Sequence, residues 1–86
     1  MKNDIRNAAI EGITSARTLA DNKTISVEVA TKIINKCEGI HVEQCIPAHV
    51  TDSGIIVYIR TTDGRSWESI FSLTGVFKRT RGFKQA

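Results

Sequence analysis

The stretch Ser53 to Leu73, SGIIVYIRTTDGRSWESIFSL, constrains the fold more than any other part of the chain. Two runs rich in Ile, Val, Tyr, Trp and Phe flank Thr61-Thr62-Asp63-Gly64-Arg65, which reads as a β-hairpin. Gly64 can take the positive φ that such a turn demands. With Thr62-Asp63-Gly64 as a three-residue loop, Thr61 pairs with Arg65 and Ile59 with Trp67. Ile55, Val57, Ile59, Trp67, Phe71 and, just beyond, Leu73 then share one face. A two-residue turn at Asp63-Gly64 would move the register by one and set Ile59 against Glu68. The three-residue loop is preferred because it gathers the apolar side chains on one side. The opposite face carries Ile56, Tyr58 and Ile70 among Arg60, Ser66, Glu68 and Ser72. Such a half-apolar face suits a third strand, a helix or a partner subunit, or else holds scattered surface apolar residues.

An apolar hairpin face needs a cover, and the N-terminal half supplies one. Asn3 to Asp21 reads as a first helix, capped by Asn3 or Asp4, with Ile5, Ala9, Gly12, Ile13, Ala16 and Ala20 along one stripe. Gly12 and the alanines allow another element to approach closely, and Asp21-Asn22-Lys23 forms a polar stop. Val27 to Cys37 reads as a second helix. Ser26 is its cap, Glu28 favours its dipole, Ile25 and Ala30 form a staple, and Gly39 ends it. Its expected buried stripe is Val27, Ala30, Ile33, Ile34 and Cys37. His41 to Ile46 reads as a weak strand ended by Pro47, which suits an edge or a bend. Thr51-Asp52-Ser53-Gly54 turns into the hairpin. The expected fold class is therefore α+β: two N-terminal helices packed on a three-stranded antiparallel β-meander, in one domain over residues 1–76. A basic C-terminal arm over 77–86 follows, as a loose arm or as a short final strand or helical turn docked through Phe77.

Charge separates that tail from the rest. Residues 1–75 contain eight Lys or Arg against nine Asp or Glu, whereas 76–86 contain Lys78, Arg79, Arg81 and Lys84 with no acid. The globular part is near neutral, and the basic excess belongs to the tail. An 86-residue chain buries only roughly 60% of its unfolded surface, so oligomerisation is a natural source of added stability. No charged leader precedes an apolar stretch, which implies a cytoplasmic protein with reduced thiols and no membrane partner.

Candidate chemistry is sparse. Cys37, His41, Cys45 and His49 recur at every fourth residue and include the donor types of a zinc site. In a strand, ligands four apart lie about 13 Å from one another. Gly39 and Pro47 oppose a continuous helix, so no metal site is assigned. His49, Asp52 and Ser53 contain the residue types of a hydrolase triad, but within five residues they lack the separated segments that position one. No phosphate-loop spacing of glycines occurs. Neither a catalytic residue nor a cofactor is therefore expected.

The strongest functional feature is Phe77 to Lys84, joined by Arg60 and Arg65 near the hairpin tip. Lys78, Arg79, Arg81, Lys84, Arg60 and Arg65 can neutralise phosphates, while Phe77 and Phe83 can stack on unpaired bases or pack on the domain. The order helix, helix, hairpin, basic arm resembles that of winged-helix DNA-binding modules, in which the hairpin is a wing; this hairpin is too apolar to be a free wing. The expectation is a small non-enzymatic binding or regulatory protein whose arm contacts nucleic acid or an acidic protein surface. The alternative is an oligomeric inhibitor or adaptor that binds a larger protein through the outer hairpin face at Ile56, Tyr58 and Ile70.

Overall fold

A computed structural model of the chain describes residues 2–17, 23–39, 41–51 and 53–85, and only the backbone of 46–49. The order of elements is α1 (Asn3–Ser15), α2 (Val27–Cys37), β1 (Val42–Thr51), β2 (Gly54–Thr61), β3 (Arg65–Phe71) and β4 (Phe77–Gln85). The four strands form one antiparallel sheet in the order β1-β2-β3-β4. The α+β class holds, but the meander has four strands rather than three. The segment expected as a basic arm is the fourth strand. Its pairing partner is the free edge of β3, whose backbone groups would otherwise lack a ladder.

The hairpin keeps the three-residue loop. Ile59 pairs with Trp67, and Gly64 sits at φ 90°. Alternation along β2 then sends Ile55, Val57 and Ile59 to the core, with Phe71 of β3 beside them. Ala9 and Ile13 of α1 and Ala30, Ile33, Ile34 and Cys37 of α2 close over that face, joined by Val42 and Cys45 of β1. Both helices thus lie on one side of the sheet. Arg6 ties them together by bonding Glu38 at 3.2 Å and the Asn35 side chain.

α2 has the expected limits. Ser26 accepts a hydrogen bond from the Val29 amide at 3.2 Å, and both Ile25 and Ala30 enter the core. Val27 does not: it is 63% exposed, because burial begins one turn later at Ala30. α1 departs further from expectation. Its N-cap is Lys2, without a side-chain cap, and it ends at Ser15 rather than Asp21. The Thr14 and Ser15 hydroxyls bond back to the Glu11 and Gly12 carbonyls, and such local bonds compete with continued helix. Ala16 is extended and Arg17 forms a β-bridge with Thr24. The expected burial of Ala20 and the stop at Asp21-Asn22 lie outside the described residues. β1 also outruns its expected end at Ile46. It passes through Pro47, which is tolerated because β1 is an edge strand with a register shift between Pro47 and His49.

Candidate nucleic-acid interface

The basic segment FKRTRGFKQ does not alternate in charge, yet the structure sorts it by face. Two register shifts do this, one between the pairs Ile70↔Arg79 and Phe71↔Phe77, the other between Glu68↔Arg81 and Ser66↔Lys84. Each gives β4 an extra residue. Strict alternation counted outward from Arg79 and Arg81 would turn Phe77 and Phe83 to the open face and Lys78 and Lys84 toward the helices. The bulges reverse both ends. At the second one Gly82 adopts φ 64°, in the left-handed region that glycine enters freely.

Phe77 therefore packs edge-on against core residue Phe71 with ring centroids 5.6 Å apart, and Phe83 stacks on Trp67 at 6.1 Å. Both remain substantially exposed, at 47% and 61%, on the helix side of the sheet. Lys78, Arg79, Arg81 and Lys84 reach the open side, where Ile56, Tyr58, Arg60 and Ile70 also point. Phe77 and Phe83 are thus separated from the charges they interrupt in sequence. Arg65 is separated too: it chelates Asp63 through Nε, at 3.0 and 3.1 Å, and its guanidinium lies 5.8 Å from the Trp67 ring centroid.

The two surfaces that the sequence offers as rivals are therefore one surface. Reading across β2, β3 and β4, its rows are Arg60–Ser66–Lys84, Tyr58–Glu68–Arg81 and Ile56–Ile70–Arg79. Strands lie about 4.8 Å apart, and rows two residues apart are separated by about 7 Å. Cations occupy the β4 end of every row. A cleft of about 330 Å³ lies between Ile56, Ile70, Lys78, Arg79 and Arg81. A second, of about 350 Å³, lies between Tyr58, Ser66, Glu68 and Lys84. Three of the five cations are engaged: Arg81 with Glu68 at 3.4 Å, Arg60 with Glu43 at 3.5 Å, and Lys78 with the Ser53 carbonyl at 3.1 Å. Arg79 and Lys84 have no acidic partner within 4 Å among the described residues.

The helix side offers a different cleft, of about 470 Å³, between the end of α2 and β2–β4, lined in part by Cys37, His41, Ile59, Trp67 and Thr80. Its buried hydroxyls are committed. Thr61 bonds the Arg65 backbone and Asp63, and Ser69 accepts from Trp67 Nε1 at 3.1 Å. Cys37 and Cys45 are buried neighbours and unbridged. A hydrogen bond to Cys45, together with burial, holds the proton of Cys37 and raises its pKa. His41 is exposed, while the side chain of His49 and all of Asp52 lie outside the described residues. Among the described residues no three His, Cys, Asp or Glu side chains cluster as a metal site would require, and no helix is long and apolar enough to cross a membrane.

Sequence reasoning found the residues of the open face but not their union. The signal was Gly82, a glycine among charged residues that marks a bulge in a strand. No protein-family model, curated protein or solved structure matches this chain.

Proposed function

We propose that this chain is a small non-enzymatic binding protein that holds nucleic acid against the open face of its sheet. Lys78, Arg79, Arg81 and Lys84 neutralise phosphates, and Arg60 marks the far rim. The observation that carries this reading is the pair of β4 bulges, which turn four cations from one short strand to the same side, where only Arg81 of the four meets an acid, Glu68, among the described residues. A solvated strand has no need of that sorting, whereas a polyanion does.

A titration of labelled DNA and RNA at several salt concentrations tests it. Four phosphate contacts give a log–log salt slope of about −3.6 on a duplex and about −2.8 on a single strand. Replacing Lys78, Arg79, Arg81 and Lys84 together by Gln should abolish binding while the denaturation midpoint stays near that of the parent. Unchanged binding by the quadruple variant rejects the reading. An acidic protein surface is the competing partner, because Ile56, Tyr58 and Ile70 add apolar area beside the charges. In that case the purified protein binds neither DNA nor RNA even at low salt.

A further inference from the structure

Resting on that reading, we infer that the open face takes single-stranded rather than duplex nucleic acid and seats one base in the cleft between Tyr58 and Lys84. The cations of β4 form a single column along one strand, with Arg60 two strands away at one end only. A duplex presents two backbones and keeps its base faces stacked, so it is read by an element that enters a groove. Among the described residues nothing on this face projects in that manner. The hairpin tip is no basic wing either, since its Arg65 is bound to Asp63.

Inward from the cation column the surface changes character. Tyr58, Ser66 and Glu68 line the cleft of about 350 Å³, Glu68 standing opposite Tyr58 on β3, with Lys84 at the β4 side. A backbone lying along β4 with its bases directed toward β2 places a base over the Tyr58 ring, and base–aromatic stacking requires an unpaired base. The row spacing of about 7 Å matches the reach of one extended nucleotide. Glu68 fixes the polarity of this arrangement. A carboxylate repels phosphate, so the backbone stays on β4, while Glu68 Oε2, which carries no hydrogen bond among the described residues, accepts an amino hydrogen from the base. Cytosine and adenine offer that amino group; thymine does not.

Fluorescence anisotropy with labelled oligo-dC, oligo-dA and oligo-dT and with a mixed-sequence duplex, at one fixed salt concentration, tests the inference. The single strands should bind at least about tenfold tighter than the duplex, with oligo-dC and oligo-dA above oligo-dT. Tyr58→Leu keeps apolar bulk without a ring and should weaken single-strand binding by about 5- to 100-fold with an unchanged salt slope. Tyr58→Phe should retain binding, which separates loss of stacking from loss of fold. Arg79→Gln with Lys84→Gln should instead lower the slope by about 1.4. Equal affinity for duplex and single strand, or wild-type affinity in Tyr58→Leu, overturns the single-strand inference and leaves the proposed function standing. Absence of binding to every probe overturns both.

Discussion

The two faces of this sheet share strands but not chemistry. Along β2, Ile55, Val57 and Ile59 are fully buried beneath the helices, while Ile56, Tyr58 and Arg60, their immediate neighbours, remain partly or fully exposed. A core face is held together by exclusion of water, so any apolar side chain of suitable size serves there. The open face instead arranges charge and ring surface in rows, and its order depends on bulges that re-aim side chains. The same alternation of the pleat therefore yields a buried apolar face on one side and a face of charges and exposed ring surface on the other.

The comparison is broken most forcefully at Phe71 and Ile70, adjacent residues on opposite faces. Phe71→Ala should cost about 3 to 5 kcal/mol in urea denaturation, because Phe71 is fully buried. Ile70→Ala should cost about 1 kcal/mol or less, since Ile70 lies outside the core cluster. Equal losses would show that the open face is covered in the free protein. A smaller effect sharpens the contrast at Gly82. An added Cβ meets only Glu68 Oε1, at 3.8 Å, so the cost of Gly82→Ala, about 1 to 2 kcal/mol, comes from φ 64° rather than from a clash. Any relaxation of the bulge turns Lys84 away from the open face, and nucleic-acid affinity should fall with stability.

The smallest effect belongs to the hairpin tip. Hydrogen bonds from Arg65 and then from Thr61 lower the pKa of Asp63 from 3.8 to about 2. A carboxylate whose folded pKa is depressed binds its proton less readily in the folded state. Its contribution is therefore complete above about pH 4 and is lost as pH falls through about 2. Asp63→Asn should flatten the stability profile in that window and leave the salt slope of binding unchanged, which pH-jump denaturation and the binding titration check together.

Legibility in the sequence followed how local each determinant is. The start of α2 could be read because Ser26 and Glu28 act within one turn of the residues they punctuate; its end at Cys37 falls near the expected stop, but Glu38 is extended there and Gly39 is not among the glycines at positive φ. The hairpin register could be read because only one choice gathers the apolar residues. The end of α1 could not, since Thr14 and Ser15 terminate it without glycine or proline. β4 was obscured for two reasons. Its ladder is supplied by β3 rather than by its own apolar pattern, and two bulges erase the period of two that marks a strand. The open face combines residues from β2, β3 and β4, so its composition was visible while its assembly was not.

The outermost strand also governs how copies of this protein meet one another. An antiparallel sheet ends in two rows of unsatisfied backbone groups, each an invitation to a neighbouring chain. On the β4 side, a second copy arriving edge to edge would bring four cations against four more, with Glu68 as the nearby counter-charge. On the β1 side, Pro47 withholds a donor and the register shift beside it bends the strand. If those charges meet phosphate as proposed, they have a second consequence in its absence: four cations facing four more would oppose growth of the sheet from the β4 edge.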